Sequence, residues 1–138
     1  MKLVVNAILG TEMQAIAGAA ALGEKSGLNR SVLLDVLSQT AVIAAAHRGK
    51  LGRAALDDYG PQFPLRLMNK DFRLILDLAR SEAARMPAPE AAFQVNSSAL
   101  HSDGDKDFSI VMRHMEIRDE ASRVARTVLE PSLQRVAR

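Results

Sequence analysis

Apolar residues recur along this chain at helical spacing, in segments that glycine and proline separate. The segment Lys2–Lys25 contains no proline and is apolar or small on nearly every face, and Gly27 follows it as a natural helix stop. After Pro64 the apolar residues keep the three-to-four spacing of an amphipathic helix that should end near Met86. Because no segment alternates apolar and polar residues as a strand does, the pattern predicts an all-α helical bundle with a long N-terminal helix.

Capping and breaking residues predict the other helix boundaries. Asn29 or Ser31 can cap a second helix, and an alanine-rich third segment should cover residues 41–56. A glycine and two prolines make residues 57–64 a loop. Pro89 suits the first turn of a further helix.

Two boundaries are predicted toward the C-terminus. The helix that begins near Pro89 should run to about His101, and the polar turn after it should cap a last stretch from residue 108 to about residue 130. That stretch alternates arginine with acidic residues and breaks at Pro131.

Composition narrows the classes of function. The 138 residues suffice for one core, and with no cysteine and three unpaired histidines neither a disulfide framework nor a metal site is expected. The formal charge of +2 is not gathered into one tract, which disfavours nucleic acid as a partner. Asn6, Thr11 and Glu12 interrupt the apolar N-terminal run, so we do not expect a secretory signal. No segment approaches the ~20 apolar residues of a membrane span and cysteine is absent, so we expect a soluble, cytoplasmic protein.

Two pairs of residues could carry chemistry. Lys2 and Asn6 lie four residues apart, on one face of a helix with few charges, where an ammonium could exchange a proton with a substrate oxygen that the amide positions. Spacing alone also allows a solvated Lys2 at a frayed helix end and an Asn6 that bonds to the backbone. Lys70 projects opposite the apolar stripe and Asp71 lies at its edge, as in an ordinary solvated charge pair. Phe63, in the preceding loop, could fill the core or line a pocket.

The run MKLVVN at residues 1–6 resembles the K-x-x-x-N catalytic signature of the β-hydroxyacid dehydrogenases, the family of 3-hydroxyisobutyrate dehydrogenase and 6-phosphogluconate dehydrogenase. Further segments follow in the family's order and at its spacing: ALGEKSGL at 21–28, LDVLS at 34–38, FPL at 63–65, KDFRL at 70–74 and DKDFS at 105–109. Each motif is weak, but the ordered set is specific and extends to about residue 116.

The resemblance implies the all-helical C-terminal domain of an NAD(P)-dependent enzyme, which pairs with a second copy of itself. In that family the residue at the position of Lys2 is the catalytic acid or base, and the one at Asn6 orients the substrate. Lys70 would approach the nicotinamide cofactor, NADP or NAD, while Phe63 and Asp71 would line the substrate cleft. The segments around Phe63 and Lys70 look most like the glyoxylate and succinic semialdehyde reductase branch, in which NADPH reduces a small aldehyde acid.

The family's Rossmann domain has no counterpart in these residues, because no G-x-G-x-x-G motif is present. We therefore expect a substrate-side and dimerisation domain over residues 1–116 and a charged helical extension over residues 117–138. We expect the chain to be inactive alone. It would be a domain of a longer enzyme, the product of an internal start, or a remnant that needs a partner chain.

Two other hypotheses remain open at this point. A non-catalytic helical interaction module would form a stable dimer with no affinity for nucleotides. A helix-turn-helix over residues 31–50, with His47, Arg48, Lys50 and Arg53 near its end, is disfavoured. Residues 41–46 are apolar, whereas a DNA-reading helix needs polar side chains.

Overall fold

The computed structural model describes residues 1–116, and this part of the chain is built from helices. The α-helices are α1 (Lys2–Lys25), α2 (Arg30–Gln39), α3 (Ala45–Ala55), α4 (Leu65–Ser81) and α5 (Pro87–Asp103). A short 3₁₀ helix, Phe108–Ile110, continues as helix through residues 111–116. The all-α prediction is confirmed, while the extension predicted for residues 117–138 lies outside the described residues.

Helix α1 is the centre of the bundle and has the bounds that its sequence predicts. It packs against α2, α4 and α5, and it buries one side through residues that include Met13, Ile16 and Ala17. Gly10 lets α4 approach closely, because a Cβ at this position would lie 2.5 Å from Cζ of Phe72.

By length and composition, α1 is also apolar enough to cross a membrane, the one helix of the described residues that meets this test. The expectation that no segment would qualify was therefore wrong. The reason is that Asn6, Thr11 and Glu12 are diluted by alanine, glycine and aliphatic residues along the helix. A third of the qualifying window is buried inside the fold, and core helices of soluble proteins and signal sequences pass the same test.

The boundary between α2 and α3 is partly set by a contact from α1. Asn29 caps α2, since its side chain accepts a hydrogen bond from the N–H of Val32 at 3.2 Å. Helix α3 begins at Ala45 instead of residue 41, because Glu12 of α1 accepts the N–H of Ala44 at 2.7 Å and so holds the first turn of α3. That tertiary hydrogen bond has no local signal in the sequence.

Helix α4 ends at Ser81, five residues before the predicted Met86. Ala83 adopts a left-handed conformation with φ of 53°, and the N–H of Ala84 donates to the carbonyl of Ala79 at 2.8 Å, which closes the helix end. Helix α5 then runs two residues further than expected, to Asp103.

Of the four residues that suggested a helix-turn-helix, Arg48 is exposed and Arg53 is half-buried, whereas His47 and Lys50 are buried. His47 is fully buried, and Lys50 is buried with its Nζ 2.6 Å from Oδ2 of Asp107. Neither side chain is available to read DNA.

His47 lies among charged groups from three parts of the fold. Its Nε2 is 3.5 Å from a carboxylate oxygen of Glu12 in α1, while Lys50 of the same helix and Asp107 lie nearby. Burial lowers the pKa of His47 below its usual value of 6.5, and the negative charge of Glu12 only partly opposes this effect.

The close approach of α1 and α4 can be tested at Gly10. We expect Gly10→Ala to lower the free energy of unfolding by about 1–3 kcal/mol, because the added methyl group overlaps the Phe72 ring. Gly49→Ala, in α3 with nothing within 4 Å of the new methyl group, should instead raise it by about 0.5–1 kcal/mol. Urea unfolding of both variants measures this difference, and equal effects would contradict the close approach.

Burial of neutral His47 makes stability depend on pH. Below pH 6.5 the unfolded chain binds a proton at this residue that the folded chain does not, so stability should fall as the pH drops from 6.5 towards the lowered pKa of His47. His47→Gln should flatten this part of the profile, whereas His101→Gln, at an exposed position, should leave it unchanged. Denaturation at a series of pH values tests this, and the same slope in His47→Gln and the parent chain would contradict it.

Candidate active site

The fold brings four of the five candidate site residues together where the start of α1 meets α4. Nδ2 of Asn6 donates a hydrogen bond to Oδ2 of Asp71 at 2.7 Å. Nζ of Lys2 lies 3.6 Å from the same oxygen, and Nζ of Lys70 lies 3.4 Å from Oδ1. Lys2, Asn6, Lys70 and Asp71 are called the Asp71 cluster below.

The carboxylate is the buried centre of this cluster. The side chain of Asp71 is 2% exposed, whereas that of Lys2 is 72% exposed and that of Lys70 is 47% exposed. The prediction of a solvated pair is therefore wrong for Asp71. A buried carboxylate requires compensating partners, and here an amide and two ammonium groups provide them.

Local sequence explains why these helices meet closely enough for the contact. Gly10 lies one turn after Asn6, and the Phe72 ring that it accommodates is adjacent to Asp71 in α4. The close approach at Gly10 thus places the Asn6 amide against the Asp71 carboxylate. The sequence allowed Asn6 either to position a substrate oxygen or to bond to the backbone. In the structure its side chain bonds to the Asp71 carboxylate and not to the backbone.

Lys2 is the first residue of α1 and belongs to its uncapped first turn. Met1 precedes it and forms no side-chain cap hydrogen bond. The Lys2 side chain crosses to α4 through its contact with Asp71 while staying largely exposed. An ammonium in this position can reach a ligand in solvent, with the Asn6 amide one turn away.

Phe63 does not share these contacts. Its ring packs edge to face on Phe108, with ring centroids 5.7 Å apart, and it belongs to the side chains packed at the border of the core. Its N–H donates to Oδ2 of Asp107 at 3.0 Å. The ring is only partly buried, so one side of it can line a surface.

Sequence reasoning placed Asp107 in the DKDFS segment but assigned it no role, although its carboxylate fixes the backbone at Phe63. Its carboxylate is 2% exposed and accepts hydrogen bonds from Lys50 Nζ at 2.6 Å and from the Ser109 hydroxyl at 2.7 Å. Burial opposes ionisation, but the Lys50 ammonium and the hydrogen bonds from Phe63 and Ser109 hold the pKa of Asp107 below its usual value. The available signal was its position as the capping residue of the 3₁₀ helix.

Removal of the buried carboxylate should destabilise the fold. Asp71→Ala leaves the Asn6 amide buried without its acceptor, so we expect a loss of about 1–3 kcal/mol in the free energy of unfolding. Asp77→Ala removes an exposed carboxylate of the same helix that pairs with Arg80, and it should change this quantity by less than about 1 kcal/mol. Urea unfolding compares the two, and a loss no larger for Asp71→Ala than for Asp77→Ala would count against the cluster.

Comparisons with known proteins agree with this arrangement of helices. Residues 1–115 match the family model described as "NAD-binding of NADP-dependent 3-hydroxyisobutyrate dehydrogenase". Glyoxylate/succinic semialdehyde reductase 1 of Arabidopsis thaliana is 37% identical over 121 residues, which are 87% of this chain and 42% of the relative. A probable 3-hydroxyisobutyrate dehydrogenase of Mycobacterium bovis is 32% identical over 127 residues, covering 87% of this chain and 43% of the relative.

A solved structure shows the same fold. The crystal structure of 3-hydroxyisobutyrate dehydrogenase from Salmonella typhimurium superposes with a TM-score of 0.75 at 25% identity, over 81% of this chain and 40% of that one. The chain thus spans less than half the length of these relatives. The family model, which is named for 3-hydroxyisobutyrate dehydrogenase, matches nearly all of the described residues. The chain therefore belongs to the β-hydroxyacid dehydrogenase family.

Proposed function

We propose that residues 1–116 form the substrate-side and dimerisation domain of an NAD(P)-dependent oxidoreductase. Its reaction interconverts a small hydroxy acid and its aldehyde or keto form. The observation that carries the proposal is the Asp71 cluster, which joins Lys2, Asn6 and Lys70 to one buried carboxylate. The match of residues 1–115 to the family model supports the same assignment.

Lys2 is the proposed catalytic acid in reduction and the base in oxidation. Its side chain is largely exposed, so a substrate oxygen can reach the ammonium from solvent. Asp71, 3.6 Å from Nζ, balances its positive charge and limits the directions in which the flexible side chain can point. The proton passes from Nζ to the carbonyl oxygen as that oxygen becomes a hydroxyl, and it returns to Nζ in the reverse direction.

Asn6 is the proposed orienting residue for the substrate. Its hydrogen bond to Asp71 fixes the plane of the amide, which lies one helical turn from Lys2. The second N–H of the amide is assigned to the substrate oxygen. Asp71 and Phe63 are proposed to line the substrate cleft, with Asp107 fixing the backbone at Phe63.

The residues present fit the nicotinamide end of a dinucleotide cofactor. Lys70 offers a half-exposed ammonium beside Asp71, able to donate hydrogen bonds to a carboxamide or ribose oxygen. Bound NADP or NAD would supply the hydride. The pyrophosphate needs a glycine-rich turn that these 138 residues do not contain, so we propose that the chain alone is inactive.

We propose a small aldehyde acid as the substrate in the reductive direction. The Arabidopsis relative, a reductase named for glyoxylate and succinic semialdehyde, is 37% identical, against 32% for the mycobacterial dehydrogenase. This difference supports the reductase branch, and the description of the matched family model as NADP-dependent supports NADPH as the cofactor.

We further propose that the protein is a cytoplasmic homodimer that pairs through the helical domain. Helix α1 exposes large apolar side chains, which include Val4, Ile8 and Leu22, and a second copy could cover them. The absence of cysteine suits a reducing compartment.

A chimaera tests the catalytic assignment. Residues 1–116 replace the matched segment of the Arabidopsis reductase, and NADPH oxidation is followed with glyoxylate and with succinic semialdehyde. We expect turnover by the chimaera and none by the 138-residue chain alone. Lys2→Met should lower kcat by about 10²–10⁴-fold, because the proton donor is lost.

The matched control in the chimaera is Lys106→Met, a half-exposed lysine that pairs with Asp103 outside the Asp71 cluster. It should leave kcat unchanged. Full activity of Lys2→Met would contradict the catalytic role. A folded chimaera that binds NADPH without turnover would favour the non-catalytic interaction module.

A further inference from the structure

A buried lysine of α3 lies against the segment that carries Phe63. Nζ of Lys50 is 2.6 Å from Oδ2 of Asp107 and 3.3 Å from the side-chain oxygen of Gln62. It also lies over the ring of Phe108, 4.7 Å from the centroid. Lysine is almost never buried unless its charge has partners, and the partners of this ammonium all meet beside one loop.

The partners of Lys50 hold both the backbone and the ring of Phe63. Oδ2 of Asp107, the oxygen that Lys50 contacts, accepts the N–H of Phe63 at 3.0 Å and that of Gln62 at 3.4 Å. The N–H of Phe108 donates to the carbonyl of Phe63 at 3.0 Å. The Phe108 ring, on which Lys50 lies, is also the ring that packs edge to face on Phe63. The position of Phe63 is therefore set by groups that Lys50 contacts.

The two carboxylate oxygens of Asp107 have separate partners. Oδ1 accepts the hydroxyl of Ser109 at 2.7 Å and its N–H at 3.1 Å, whereas Oδ2 bonds to Lys50 and to the loop. Because the carboxylate is buried, removal of the ammonium leaves a negative charge without its cation on the Oδ2 side. Loss of Lys50 should therefore disturb the loop at Phe63, and loss of the Ser109 hydroxyl should not.

Lys50 differs from the lysines of the Asp71 cluster in its access to solvent. The side chains of Lys2 and Lys70 are largely or half exposed, so a ligand can reach their ammonium groups. The Lys50 side chain is buried, and its ammonium is directed to protein groups. Any influence of Lys50 on a ligand must therefore pass through Phe63.

We propose that Lys50 is a positioning residue of the substrate cleft, which acts through Asp107 and Phe108 to fix Phe63. This inference rests on the proposed function, because it requires Phe63 to line the cleft. A fixed ring at the cleft contributes to the binding of substrate and transition state alike. Its displacement therefore raises KM and leaves kcat unchanged.

Steady-state kinetics of the chimaera test this role. Lys50→Met removes the ammonium and keeps an unbranched side chain. We expect KM for glyoxylate and for succinic semialdehyde to rise at least about tenfold, while kcat changes by less than about twofold. Phe108→Leu keeps the core apolar but removes the ring between Lys50 and Phe63, so it should change KM in the same direction. This second variant also serves if Lys50→Met does not fold.

Ser109→Ala is the matched control. It removes a buried hydrogen bond from the same carboxylate, so it should lower the free energy of unfolding, as Lys50→Met does. It leaves the Oδ2 side of Asp107 intact and should leave KM unchanged. A variant that only weakened the fold would not separate KM from stability in this way.

Hydrogen exchange of the 138-residue chain measures the positioning without catalysis. Lys50→Met should speed exchange of the Phe63 amide at least about tenfold relative to the amide of Met13, which lies in the middle of α1 and reports global unfolding. Ser109→Ala should leave this ratio unchanged. Equal acceleration of both amides in Lys50→Met would overturn the positioning role.

The kinetic outcomes separate this inference from the proposed function. If the parent chimaera turns over neither aldehyde acid, the proposed function fails and this inference fails with it. If the parent chimaera is active and both Lys50→Met and Phe108→Leu leave KM unchanged, only this inference is overturned. An equal rise of KM in Ser109→Ala and Lys50→Met would assign the effect to stability and would also overturn it.

Discussion

The close approach of α1 and α4 at Gly10 is the contact on which the candidate site depends. The Phe72 ring occupies the space that a side chain at position 10 would fill. One turn away, the same approach brings the Asn6 amide within 2.7 Å of the Asp71 carboxylate. Without it, Asp71 would lose its buried hydrogen-bond partner, and Lys2 would lose the anion that connects it to α4.

Two buried carboxylates organise the two parts of the candidate site by the same physical means. Desolvation of a carboxylate is costly, so each is retained only with cationic and hydrogen-bonding partners. Asp71 meets this requirement with Asn6 and two lysines that remain open to solvent. Asp107 meets it with the buried Lys50 and with the backbone at Phe63. The first carboxylate is therefore next to cations that a ligand can reach, whereas the second fixes a loop.

Helix α1 combines three roles, although nearly every face of it is apolar. Its buried side forms the core, and its first two turns carry Lys2 and Asn6. Its third side exposes aliphatic residues beside an apolar groove. These roles explain why the helix is apolar almost all round, a composition that by itself also satisfies a membrane-span test.

Apart from the family resemblance, which the ordered set of motifs carries, the sequence by itself determined features that depend on neighbouring residues: the all-α class, the bounds of α1 and a cap for α2 at Asn29 or Ser31. These follow from periodicity and capping, which act within a few residues. The tertiary structure alone decided that Asp71 and His47 are buried and that α3 starts only at Ala45. It also decided that Phe63 packs on Phe108 and bonds to Asp107, away from the cluster. Burial and long-range pairing depend on which distant segments meet, and a helical projection of α4 cannot show that an amide 65 residues earlier will cover its carboxylate.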